Sequence, residues 1–219
     1  MTNADPHYPH RGARLADLAV HIAGLSLAVV GGGVLLGLAC AFGSLPQAVA
    51  VSIYVAGLVA MLALSTAYNL AGPRWRPLLR RLDHAGIFIM IAGSYTPFTT
   101  QRLHGGWAIG MTTAVWALAG LGVAAKLFLP GLGRRFWIVI YLALGWIVLI
   151  ALEPMIRDVS ASALVLLAIG GLVYSIGAVF YGMKRLNFRR AIWHGHVVGG
   201  SALHFAAVLV GVVLTRSAA

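Results

Sequence analysis

The chain has 219 residues, of which 60% are hydrophobic and only 10% charged, and its mean hydropathy is +0.90. A water-soluble domain of this size has too little interior to bury that much apolar side chain, so the composition excludes a soluble enzyme and predicts an all-α, polytopic membrane protein. The formal charge of +11 would suit a nucleic acid, but the cations gather in four clusters between apolar runs. That is the pattern that orients helices in a bilayer, and no nucleic-acid partner is expected.

Crossing about 30 Å of hydrocarbon takes roughly 20 helical residues, and the chain has room for seven such spans. Residues 1–16 are polar, with Asp5, His7, His10, Arg11 and Arg14, and read as a cytoplasmic tail; residues 17–219 read as one transmembrane domain. The first apolar run, 18–42, is too long for a signal-peptide core and has no cleavage pattern. It carries His21 near its start, the single cysteine Cys40 and a small-residue face, Gly33-x-x-x-Gly37, of the kind that lets helices approach closely in lipid. A turn at Pro46 leads to span two, 48–70, which ends Ser65-Thr66-Ala67-Tyr68-Asn69. The loop 71–82 holds four arginines and is expected to be irregular because of Pro73 and Pro77.

Span three, 83–100, opens with Asp83 and His84, and Gly93 and Pro97 are expected to loosen it near its far end. Span four, 107–129, ends with Lys126 snorkelling outward. A basic turn, 130–135, precedes span five, 136–152, and a loop, 153–160, separates it from span six, 161–183. The last basic loop, 184–190, leads into span seven, 191–215. Thirteen lysines and arginines fall on the side of the N-terminus and only Arg102, Arg157 and Arg216 on the other. The bias places the N-terminus in the cytoplasm and the C-terminus outside, which seven spans require.

This arrangement brings Asn69, Asp83, His84 and His194 to one depth near the cytoplasmic surface. Ser65 and Asn69, four apart, share a helix face. A carboxylate where a helix enters lipid is costly unless partnered, so Asp83 is a functional candidate. His194 and His196 are two apart and cannot share a face, so at most one of them is expected at the site. His204 is either a core histidine or a second polar site, and Ser65 has the alternative of bonding back to its own helix. Histidine and carboxylate are the usual ligands of a catalytic zinc.

The segment Arg80–Phe98, RRLDHAGIFIMIAGSYTPF, resembles the third-helix signature of the hemolysin III / progestin-and-adipoQ-receptor (PAQR) family. Ser65–Asn69 resembles that family's S-x-x-x-H motif, and Tyr174–Phe205 its sixth-to-seventh helix segment carrying H-x-x-x-H. The resemblance implies seven helices and an intramembrane zinc held by three histidines, with the aspartate and serine matching Asp83 and Ser65 as the catalytic pair at the metal's water. Carried over residue by residue, the three ligand positions fall on Asn69, Arg190 and His194, so only His194 stands as a metal ligand. Asparagine oxygen is a poor zinc ligand and a guanidinium repels a cation.

A degenerate zinc site is therefore expected, with Arg190 pairing with Asp83 in place of the ion. The reading that follows is a bacterial inner-membrane protein acting in membrane homeostasis or lipid binding, with membrane lipids and a second copy of the chain as its partners. A zinc-dependent lipid-amide hydrolase, with a site rebuilt from Asp83, His194 and either His84 or His196, is the alternative. A proton-coupled transporter is the third reading.

Overall fold

The structure, a computed structural model, describes residues 8–129, 131–183 and 185–215; Asp5, His7, Pro130, Lys184 and Arg216 lie outside them. Among the described residues the chain is almost entirely helical: α1 (Arg11–Phe42), α2 (Leu45–Leu70), α3 (Arg76–Gln101), α4 (Gly105–Phe128), α5 (Arg134–Gly145), α6 (Leu152–Asp158), α7 (Ala161–Gly182) and α8 (Arg189–Val208). A 3₁₀ stretch, Ile147–Ala151, joins α5 to α6, so that Arg134–Asp158 forms one segment long and apolar enough to cross a membrane. Six segments are long and apolar enough to span a membrane, and α3 is a seventh helix of comparable length whose first turns carry Arg76, Arg80, Arg81 and Asp83.

Local chemistry accounts for the boundaries. His10 caps α1, its Nδ1 accepting from the Ala13 amide at 3.1 Å, and Ser44 caps α2 in the same way through the Gln47 amide. The expected irregular loop before span three is mostly helix. Pro77 falls in the first turn of α3, where its missing amide proton costs nothing. Gly93 and Pro97 do not interrupt α3, which runs on to Gln101. The 153–160 loop is also shorter than expected, because α6 continues to Asp158.

Helix α1 lies between α2 and α8, α3 packs along α2 and α4, and α7 along α8. In lipid, such packing is driven by close approach of small residues rather than by exclusion of water. At Gly93 a Cβ would come within 3.3 Å of the Ile53 carbonyl oxygen, and at Gly57 within 3.4 Å of that of Ile89, so the backbones of α2 and α3 nearly touch. The Gly33–Gly37 face does not serve this purpose within the chain: among the described residues, a Cβ at either position would meet no other helix within 4 Å. Close approaches on α1 occur instead at Gly24, against Val198 of α8, and at Gly32, against Val55 of α2. The wholly buried interior includes Tyr54, Phe88, Leu35 and Val115, while residues such as Val30, Ile109 and Leu121 are exposed, as a lipid-facing surface requires.

A buried histidine–carboxylate site at one end of the bundle

Four helix segments converge at one end of the bundle: the first turns of α1, α3 and α8, and the last turns of α2. Asp17 and His21 sit four apart on α1 and are both buried. Asp17 Oδ1 is 2.6 Å from His194 Nδ1, and its Oδ2 accepts from the Tyr8 hydroxyl at 2.5 Å. A carboxylate accepts only, so His194 carries its proton on Nδ1. The His21 Nδ1 lies 2.8 Å from the Asp17 carbonyl oxygen, which fixes that ring's proton likewise and leaves Nε2 as an acceptor. Towards that Nε2 come the Ser65 hydroxyl at 3.3 Å and the Asn69 amide nitrogen at 3.4 Å. The two imidazoles meet edge to face with centroids 4.3 Å apart.

Ser65 therefore points at a neighbouring helix, whereas the adjacent Thr66 bonds back to the Leu62 carbonyl. Asn69 has further partners as well. Its amide nitrogen donates to the Ser65 carbonyl at 2.9 Å, and its oxygen accepts from Arg190 Nη1 at 3.2 Å. The expected Arg190–Asp83 pair is replaced by this Arg190–Asn69 bond, and Asp83 stands 3.8 Å from its own neighbour His84. Arg190 thus reaches from α8 to Asn69 on α2, and not to Asp83 on α3. His84 is tied to the Arg80 carbonyl at 2.5 Å. Of the histidine pair on α8, His194 faces the site; His196 turns to α7, bonding the Ile192 carbonyl and contacting Phe180.

These groups form the polar end of a cavity of about 160 Å³ inside the bundle. His21, Ser65, Asp83, His84, Arg190 and His194 line it at that end. Its walls are otherwise mainly apolar, with Met61, Met90, Ile91, Val197 and Val198 among them, and it continues to Trp146, Ser175 and His204. The lining runs from Asp83 to Tyr95 on α3 and from His194 to His204 on α8, roughly 15 Å or more of helix at 1.5 Å per residue.

The family described as haemolysin-III related matches residues 15–205. The chain belongs to that family. This haemolysin-III-related chain is 33% identical to the hemolysin-3 homolog of Bacillus subtilis over 199 residues, 89% of this chain and 92% of that protein. It is 32% identical to hemolysin-3 of Bacillus cereus, over 93% of each. A more distant similarity, 28% over 165 residues, extends to the human monocyte to macrophage differentiation factor and covers 71% of this chain and 67% of that one. It is thus a multi-pass membrane protein of the hemolysin III/PAQR type.

The haemolysin-III-related chain holds a donor set for a metal that shares only His194 with the positions its resemblance implies. Asn69 and Arg190 are bonded to each other, and a guanidinium at that point is incompatible with a cation held there. One helix over, Asp17, His21 and His194 bring three ligand atoms within 4.8 Å of one another. Two imidazoles and a carboxylate are a donor set that zinc accepts. Ligands sharing one tetrahedral zinc stand about 3.3 Å apart at normal bond lengths. The 2.6 Å Asp17–His194 contact is therefore a direct hydrogen bond that leaves no room for an ion between the two atoms. Asp17 fits better behind the histidines, through its carbonyl to one and its carboxylate to the other, with both Nε2 atoms left as ligand faces.

Asp17 was not evident in the sequence as a site residue. Its signal was present all the same: it is an acid at the mouth of an apolar run, the feature that drew attention to Asp83, with a histidine four residues on.

Proposed function

We propose that the protein crosses the bilayer seven times, N-terminus in the cytoplasm, and binds a lipid or fatty acid in its internal cavity, acting in membrane homeostasis. The observation that carries this reading is the cavity itself: a long, mainly apolar slot closed at one end by imidazole, hydroxyl, carboxylate and guanidinium groups. That is the profile of an amphiphile, apolar chain outward and hydrogen-bonding head inward. The bias of thirteen cations against three supports the orientation, and the length of α3 supports the seventh crossing.

Uptake of a fluorescent fatty acid by the purified protein tests the proposal. Val197→Trp fills the cavity wall and should abolish uptake; undiminished uptake in that variant would refute the site.

A second reading is favoured by one specific observation, the Asp17–His21–His194 group. His21 and His194 would hold a zinc ion, Asp17 would orient both rings, and Ser65 and Asp83 would face it across the cavity. Bound zinc would supply Lewis-acid activation of a lipid amide carbonyl. Zinc at one per chain, lost in His21→Ala and in His194→Ala, would establish this reading.

A further inference from the structure

His204 lies ten residues beyond His194 on α8, about 15 Å further along the axis, and lines the same cavity. Its polar neighbours are paired with one another. Tyr174 Oη and Ser201 Oγ are 2.8 Å apart, Trp146 Nε1 donates to Ser175 Oγ at 3.1 Å, and Ser175 Oγ donates to the Gly171 carbonyl. Two buried groups in this neighbourhood lack such a partner among the described residues: the Tyr54 hydroxyl, which does not line the cavity, and His204, which does. Its Nε2 is buried with no hydrogen-bond partner among the described residues; the Leu167 carbonyl is near the ring but does not complete a bond to that atom. The ring is set edge-on to Tyr174, centroids 5.4 Å apart, and lies over Gly170, where a Cβ would come within 2.4 Å of Cδ2. Gly170 thus leaves the space this imidazole fills.

An imidazole at membrane depth is expensive, and histidine is among the residues that mark ligand pathways there. Packing alone would be served by leucine. A neutral imidazole offers one donor and one acceptor, and χ2 of histidine has broad wells, so the ring can present a nitrogen to a chain lying in the cavity. We propose that His204 is the distal anchor of the lipid site. The preferred ligand is a bipolar amphiphile: a chain with a polar head among His21, Ser65 and His194 and a hydroxyl or oxo group about 15 Å away. The proposal builds on the lipid-binding reading and names the class of lipid.

Laurate and ω-hydroxylaurate, identical except for the terminal hydroxyl, are the probes, titrated into the full-length protein in detergent. The wild type binds ω-hydroxylaurate roughly 5-fold more tightly, the value of one ordinary hydrogen bond. His204→Leu abolishes that preference, and His204→Gln, which keeps a donor and an acceptor, retains it. Equal affinity of the two acids for the wild type overturns the anchor and leaves the lipid site standing. A preference that persists in folded His204→Leu also overturns it. If His204→Leu does not elute as a single species, Gly170→Ala takes its place: crowding the ring must reduce the preference, and an unchanged preference overturns the anchor. Failure of the wild type to bind either acid refutes the lipid site and the anchor together.

Discussion

Truncating Asp17 should damage this protein far more than truncating Asp83, although the two acids look alike in the sequence. Asp17 is fully buried and accepts from Tyr8 at 2.5 Å and from His194 at 2.6 Å, joining the N-terminal segment, α1 and α8. Hydrogen bonds to a charged group contribute about 1.5–3 kcal/mol each. Removing one member of a buried pair costs about 3–5 kcal/mol, because the partner is left without compensation. For a chain of this length 1 kcal/mol corresponds to roughly 2–4 °C in apparent Tm, so Asp17→Ala should lower it by roughly 6–20 °C. Asp83, by contrast, makes among the described residues no ion pair closer than the 3.8 Å contact with His84, and both side chains keep some exposure. Such a pair contributes about 0–1 kcal/mol, a shift of at most roughly 4 °C.

Thermal unfolding in a mild detergent, followed by tryptophan fluorescence, measures both. A double-mutant cycle with His194→Ala then isolates the contact. Asp17 and His194 should couple by about 0.5–3 kcal/mol. An Asp83→Ala variant as unstable as Asp17→Ala, or strict additivity of Asp17→Ala and His194→Ala, would refute the placement of the carboxylate.

Three further outcomes follow from the geometry. Arg102 reaches the carbonyls of Gly211 at 2.7 Å and Val212 at 3.2 Å, where α8 ends in a π-turn that frees them; Arg102→Ala should cost about 2 kcal/mol, or roughly 4–8 °C, in the same unfolding assay. Gly122→Ala would drive a methyl to 2.4 Å from the wholly buried Phe88 ring and should cost about 1–3 kcal/mol, whereas Gly37→Ala, with nothing within 4 Å, should be neutral or gain about 0.5–1 kcal/mol from helix propensity. Wild-type protein grown with added zinc should carry well under one ion per chain, while the Asn69→His plus Arg190→His double variant should acquire one that resists dialysis; metal analysis of both decides whether those two positions share a site with His194.

The pattern of what could be read from the sequence follows from which forces act in a membrane. Hydropathy at the 20-residue scale is a strong signal because unsatisfied backbone is forbidden in lipid, so the order of the helices and the convergence of Ser65, Asn69, Asp83 and His194 at one end could be anticipated. Helix interfaces are a weak signal. Gly33–Gly37 has the right spacing to be one, yet Gly24 and Gly32 make the contacts, because rotation about the α1 axis is set by Val198 and Val55 on other helices. The same rotation governs the site. It turns Asp17 and His21 inward together, since residues four apart share a face, and the Asp17 carboxylate then captures His194. Arg190, one turn earlier on α8, bonds Asn69 of α2. At the two positions that the family resemblance assigns to metal-binding histidines stand an arginine and an asparagine bonded to each other, and one helix away a carboxylate is bonded to the remaining histidine. Restoring histidine at 69 and 190 alone would leave Asp17 still holding His194 by Nδ1, which frees the opposite nitrogen, Nε2, for an ion, and for that reason the double variant is expected to bind zinc without any change at Asp17.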